Sequence, residues 1–358
     1  ILRCLVGSEM CIRDRFYAGL VNSKNVVSVL MQHFALACMV SVIWVILGYS
    51  LAFSEGNEWI GGFSNIFMNA IDVNSPSGSI PESLFATFQM TFAIITPALM
   101  IGAFVERIKF SAMLIFLSMW LLVVYVPVTH WVWGGGILSS WGTMDFAGGI
   151  VVHATAGTAA LVTALTLGKR RGFPKSITPP HSPILTMIGA SMLWIGWFGF
   201  NAGSALGANG GAGMAMLVTH ISAATASLVW MFIEWRRFGK PSLIGVVTGM
   251  VAGLATVTPA SGYIGVPGGL VLGFFGGLFC YLAVDYIRGK LQIDDSLDVF
   301  AVHGVGGILG TLLVAFLATS TFSGLGLAEG QTAVSQFFVQ LKAVVLTVIW
   351  TSVFTYLI

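Results

Sequence analysis

Long apolar runs, broken by short polar or glycine-rich stretches, fill this chain almost from end to end. Ten of them approach or exceed the roughly 20 residues a helix needs to cross a bilayer. They run from Val26 to Phe53, Leu84 to Val105, Ser111 to Trp133, Phe146 to Leu167, Ile184 to Ala205, Ala212 to Ile233, Leu243 to Val257, Ile264 to Val284, Val299 to Ala318, and Phe337 to the end. The seventh is short. The pattern predicts an all-α polytopic membrane protein. The opening ILRCLVGSEMCIRDR is too short and too charged for a span, and it lacks the small-residue cleavage pattern of a signal peptide. Residues 1–15 therefore read as an assembly scar, and 16–358 as a transmembrane domain. Its first helix survives only as Phe16-Tyr17-Ala18-Gly19-Leu20 and its last is cut short, so the natural chain is expected to have eleven spans, about ten of them here.

Composition agrees. Hydrophobic residues are 56% of the chain and charged residues 8%, with a mean hydropathy of +0.91, more apolar surface than a water-soluble globule can hide. The 44 glycines suit closely packed membrane helices. Cys4, Cys11, Cys38 and Cys280 show no metal spacing and predict no structural disulfide. The net charge of +2 says little about partners, and the lack of a basic run argues against nucleic acid. The basic residues follow another rule: Lys24, Arg107 and Lys109, Lys169 to Lys175, Arg236 to Lys240, and Arg288 with Lys290 all fall at alternate span boundaries. The other loops, Ser54 to Ser83, Gly134 to Asp145, Leu206 to Gly211, Thr258 to Tyr263 and Thr319 to Gln336, contain none; only Lys342 departs. Cytoplasmic loops collect Lys and Arg, so the basic boundaries face inward and the natural N-terminus lies outside.

The stretch DFAGGIVVHATAGTAALVTALTL, opening at Asp145, places His153 well inside an apolar run, and DVFAVHGVGGILGTLLVAFLA, opening at Asp298, repeats the theme with His303. Ionisable groups at such depth usually mark ion or proton pathways. Eleven spans divide as five, five and one, these two helices closing the two fives. Five is odd, so the halves are inverted, with a site at their interface. His153 then lies nearer the outside, His303 nearer the inside, and both near mid-membrane. Satisfied interhelical hydrogen bonds are the bland alternative. Zinc is the sharp one, but no third ligand stands at metal spacing and HExxH is absent, which also argues against a metal enzyme. His33, His130, His181 and His220 have no matching partner and read as structural or surface residues. Asp145 and Asp298 read as helix caps, Asp145 also as an attraction for a cation, while Asp285, Asp294 and Asp295 read as part of a solvated inner loop.

Aromatic residues form a second group. Phe88 and Phe92 share a helix face, Trp133 precedes three glycines that leave its ring little cover, and Trp197, Phe198 and Phe200 lie in WFGFNAGS. An exposed Trp face attracts a partly desolvated cation by ~2 kcal/mol or more. That cannot carry a bare ion through hydrocarbon, which costs on the order of tens of kcal/mol. The ion must lose its charge, keep its water, or move its proton separately.

Taken together, FATFQMTFA, GAFVERIKFSA, VWGGG, DFAGGIVVH, WFGFNAGSA, VTPASGYIG and DDSLDVFAVHG resemble the ammonium transporter (Amt/Mep/Rh) family from Phe16 to the end. Trp133 and Ser204 place the likeness in the bacterial Amt branch and not the Rhesus branch. The resemblance implies the ammonium-transporter fold, with inverted five-helix repeats and a final helix, in a homotrimer in the cell (inner) membrane, each protomer with its own pore. It implies an outer ammonium site of Trp133, Phe88, Phe92 and Ser204 supported by Asp145, a gate of Phe92 and Phe200, and a pore lined by the twin histidines His153 and His303 with Trp197 beside it. It further implies no cofactor, and regulation by a PII-type protein through a C-terminal tail that this sequence lacks. Electrogenic uptake is the expected activity, with ammonium bound outside, neutral ammonia crossing, and a proton following through the histidines. An ammonium sensor and a neutral-gas channel are the alternatives.

Overall fold

The computed structural model describes residues 16–176 and 179–358, so the reading of residues 1–15, with Cys4 and Cys11, lies outside the described residues. Nine helices within the described residues are long and apolar enough to cross a membrane, and a tenth is shorter. We number them α1 Ser23–Phe53, α2 Glu82–Phe104, α3 Phe110–Ser140, α4 Gly149–Leu167, α5 Pro183–Gly203, α6 Gly210–Phe238, α7 Leu243–Val257, α8 Val266–Lys290, α9 Phe300–Leu317 and α10 Ala333–Leu357. They match the ten apolar runs, with shifted ends. Residues 16–20 are helical; Tyr17 Oη donates to the Leu99 carbonyl of α2 at 3.3 Å.

Polar side chains set several helix starts by accepting orphan amides of the first turn. Ser182, Asn209 and Ser242 cap α5, α6 and α7, and Thr332 with Ser335 forms a capping box on α10. The packing repeats with inverted sense. The pair α1 and α2 matches α6 and α7, and α2 lies on α4 as α7 lies on α9. At the centre α4 and α9 cross, the first segment of each packed on the body of the other, and α10 lies against both. These are the inverted five-helix halves with a final helix outside them.

The crossing depends on missing side chains. A Cβ on Gly157 would stand 2.3 Å from the Gly304 Cα, so the two backbones touch where α4 and α9 meet. Small residues permit such contact where lipid supplies no hydrophobic drive between helices. Lys342, the exception to the charge pattern, has its Nζ 3.5 Å from the centroid of the Trp141 ring, a cation–π contact that offsets its position.

The stretch before α9 corrects the sequence reading. It is no solvated loop: Asp294 and Asp295 are buried. Asp294 accepts from Arg170 at 2.8 Å and lies 3.9 Å from Arg107, which also donates to the carbonyls of Ala103, Gly168 and Asp294. Nor does Asp298 cap α9; it takes a left-handed conformation (φ 57°) and pairs with Arg288 at 2.8 Å. The cap is Asp295, whose carboxylate accepts the Phe300 amide at 2.7 Å. Asp295 stands eight residues before His303, as Asp145 stands eight before His153. The repeat register therefore runs through Asp295.

Candidate functional site

α4 and α9 each begin as a π-helix, Gly149–Ala154 and Phe300–Gly304, and each π-turn carries one histidine. Such wide turns occur frequently at functional sites. Asp145 anchors the first: its two carboxylate oxygens accept the amides of Gly148, Gly149, Ile150 and Val151 at 2.6–3.1 Å. Four amides aimed at one buried carboxylate leave it a structural anchor in this geometry. Its backbone carbonyl accepts the Trp133 indole N–H at 2.9 Å, so one residue fixes both the π-turn and the tryptophan.

The two imidazoles are nearly parallel, with ring centroids 5.2 Å apart and planes 20° apart, and their Nδ1 atoms lie 3.3 Å from each other. A hydrogen bond between like nitrogens needs one donor and one acceptor, so the pair is asymmetric in tautomer and shares one proton. Gly307 admits the contact: a Cβ there would fall 2.5 Å from the His153 Cβ. The indole of Trp197 stacks on His153 at 5.5 Å and 17°, and its N–H donates to Thr258 Oγ1 at 2.9 Å. Thr258 is a supporting residue that sequence reasoning missed. It lies inside the VTPASGYIG motif, which is the one signal that pointed to it.

On the His153 side the histidine pair is continued by packed aromatic rings. Phe200 stacks near His153 at 6.0 Å and meets Phe92 at 4.5 Å. Phe92, 1% exposed, is also packed on Trp133 at 5.4 Å and edge-on to Phe88 at 4.9 Å. Ser204 caps the end of α5, one turn beyond Phe200, and its hydroxyl donates to the Phe200 carbonyl at 2.9 Å. The structure thus brings Trp133, Phe88, Phe92, Phe200, Trp197, His153 and His303 into one continuous column, with Ser204 one turn past Phe200. Between Phe200 and His153 lies a cavity of about 10 Å³, also lined by Ile95, Leu99, Val152 and Leu193. That is room for about one water-sized molecule, in almost wholly apolar surroundings. On the far side of the pair, His303 and Val302 line a second cavity of about 140 Å³ that also meets Arg170, Arg288 and Asp298.

The other histidines stay out of this column. His130 contacts the carbonyls of Ala52 and Asn57 at 2.9 and 2.8 Å, His181 that of Val21 at 3.0 Å, and His33 that of Val29 at 2.8 Å, while His220 stacks on Trp194 at 4.9 Å.

Comparison with known proteins identifies the family and the fold. A profile of the Ammonium Transporter Family matches residues 13–358. The chain is 45% identical over 351 residues to a putative ammonium transporter of Methanothermobacter thermautotrophicus, covering 96% of this chain and 85% of that protein. It is 42% identical over 347 residues to an ammonium transporter of Bacillus subtilis, again 96% and 85%. Among solved structures, Saccharomyces cerevisiae Mep2 superposes with a TM-score of 0.88 at 35% identity, covering 99% of this chain and 84% of that one. With the crossed helices α4 and α9, the paired imidazoles and these matches together, the chain belongs to the Ammonium Transporter Family.

Proposed function

We propose that the chain carries out electrogenic ammonium uptake through the column between Trp133 and His303. The observation that carries this reading is the Nδ1 to Nδ1 contact of His153 and His303 beneath a closed pair of phenyl rings. Ammonium is held at the Trp133 end by cation–π attraction to the indole and to Phe88 and Phe92. The Ser204 hydroxyl spends its proton on Phe200, which leaves its oxygen to accept an N–H from ammonium. Asp145 supports the site from behind.

The charge cannot continue. An ion stripped of water in an apolar channel meets a barrier on the order of tens of kcal/mol. Ammonia, small and neutral, fits the cavity above His153 once Phe92 and Phe200 move apart. Potassium matches ammonium in size but has no proton to give up, so selectivity follows from deprotonation and desolvation more than from fit. The proton crosses separately through the imidazole pair, each ring accepting on one side and donating on the other.

The same reading includes the sidedness and the assembly. The Lys- and Arg-bearing ends of the helices face the cytoplasm of a cell membrane. Three copies associate, each with a complete pore, since the whole column is drawn from one chain. A PII-type protein would act at the basic face through a C-terminal extension of this sequence.

The test is charge movement across proteoliposomes after an ammonium jump, with a potassium jump as control. A saturable current for ammonium alone, weakened by Trp133→Leu, is expected. Internal alkalinisation with no current would refute proton co-movement and leave a neutral-gas channel. Ammonium binding with neither signal would refute transport and leave a sensor.

A further inference from the structure

We propose that the basic face carries a binding site for a phosphate-bearing anion, separate from the pore. A cavity of about 550 Å³ opens there between residues 20–25, the turn after α2 and the loop after α4. Its size falls within the roughly 300–1,000 Å³ typical of small-molecule sites. Five cationic side chains line it: Lys24, Arg107, Lys169, Arg170 and Arg171.

The acids nearby do not balance them. Glu106 lines the same cavity, but it accepts from the Asn22 amide and the Asn25 side chain. Asp294, behind the wall, is shared between Arg170 at 2.8 Å and Arg107 at 3.9 Å. Lys24, Lys169 and Arg171 form no ion pair among the described residues. Arg107 is 8% exposed at its side chain and its terminal nitrogens donate to Gly168, Ala103, Asp294 and Ser296, so it adds positive charge to the wall and no free donor. Like charges gathered in one concavity raise the local concentration of anions.

The donor set selects the chemistry. Guanidinium forks match phosphate oxygens two at a time, and ammonium groups add point charge around them. A nucleoside diphosphate carries more than one negative charge and a lipid phosphodiester one, each on tetrahedral oxygens that cations can approach from several sides. The volume exceeds one phosphate, so the ligand bears a further polar body. Two sources share this chemistry. One is the headgroup of an anionic lipid of the inner leaflet, which basic clusters at this level attract; the other is a soluble nucleoside diphosphate. The site stands whatever crosses the pore.

The test uses the full chain in neutral detergent, titrated with short-chain phosphatidylglycerol, with ADP, and with short-chain phosphatidylcholine as the zwitterionic control of no net charge. Lys169→Gln/Arg171→Gln is compared with Arg236→Gln/Lys240→Gln, which removes two exposed cations elsewhere on the same face. Losing two cations is expected to weaken anion binding by about tenfold in the first variant and leave the second like the parent. Phosphatidylglycerol binding without ADP binding assigns the lipid headgroup; ADP binding assigns the soluble phosphate. Binding of neither, or equal binding by both variants, overturns the proposal. If Lys169→Gln/Arg171→Gln loses its helical melting transition, Lys24→Gln carries the same comparison.

Discussion

Gly157→Ala separates the role of the histidine pair from the chemistry of any other side chain. The added Cβ would stand 2.3 Å from the Gly304 Cα, and ordinary contact begins at 3.4 Å, so α4 and α9 must part by about 1.1 Å. Gly304 directly follows His303, and His153 lies one turn before Gly157. If the same displacement reaches the rings, the Nδ1 separation grows from 3.3 Å to about 4.4 Å, well past hydrogen-bond length. Overpacking of this kind costs roughly 1–3 kcal/mol, a lower melting temperature but not unfolding. Neither imidazole is touched chemically. The expected result is an ammonium current reduced by tenfold or more while the ammonium concentration at half-saturation stays close to that of the parent. Gly213→Ala is the control, because a Cβ there meets nothing within 4 Å, and it should leave current and stability intact. A Gly157→Ala protein with the parent's current and selectivity would show that the contact between the imidazoles is dispensable.

Four further outcomes follow from the same geometry. Trp133→Leu removes a cation–π partner worth ~2 kcal/mol, so half-saturation for ammonium should rise by about thirtyfold in the proteoliposome current; an unchanged value places recruitment elsewhere. Replacing both histidines with acids, His153→Asp with His303→Glu, should admit potassium current, and retained ammonium selectivity would sink the deprotonation scheme. Asp145→Asn leaves buried amides without acceptors at about 1–3 kcal/mol each and should lower the unfolding temperature clearly; a melt like the parent's would deny its anchoring role. Burial, with the Asp298 charge nearby, pushes the Asp295 carboxyl up to about 7 against the opposing Phe300 and Val299 amides. Because that folded value lies above the ordinary 3.8, its contribution to stability is full below that range and is lost as pH rises through about 7. Melting temperature should therefore fall from pH 5 to pH 8 more steeply in the parent than in Asp295→Asn, and equal slopes would refute the assignment.

The spans were legible because they are properties of runs: about 20 apolar residues are needed wherever a helix crosses. The histidine pair was legible because it repeats. The acid register was not. Asp298 sits closest to the VH pair and draws the eye, yet counting back eight residues from each histidine gives Asp145 and Asp295. The ion cluster of Arg107, Arg170 and Asp294 could not be read at all, since its members come from three loops far apart in sequence and each looks like ordinary polar loop composition. Thr258 was hidden for the same reason: only the folded chain shows that the Trp197 N–H ends on it.

The corrected register also bears on direction. Asp145 and Asp295 are the same residue of the two repeats, but their surroundings differ. Asp145 is saturated by four amides and lies behind a wall of aromatic rings. The Asp295 carboxylate caps α9 through one oxygen, while its other oxygen has no hydrogen-bond partner, and the acid next in line, Asp298, is paired with Arg288 at the mouth of the His303 cavity. One skeleton therefore carries an aromatic basin at one end and a charged vestibule at the other. An aromatic basin favours a cation whose water is partly removed. A cavity lined by Arg170, Arg288 and Asp298 offers no such advantage, but on the proposed route it can accept a proton leaving the imidazole pair. Grafting the aromatic end is impractical, so the asymmetry is best tested from the charged end. Arg288→Gln frees the Asp298 carboxylate beside His303 and should change the pH dependence of the ammonium current more than its half-saturation, because the basin is untouched. A shift in half-saturation alone, with the pH profile fixed, would place the recruitment step at the wrong end of the pore.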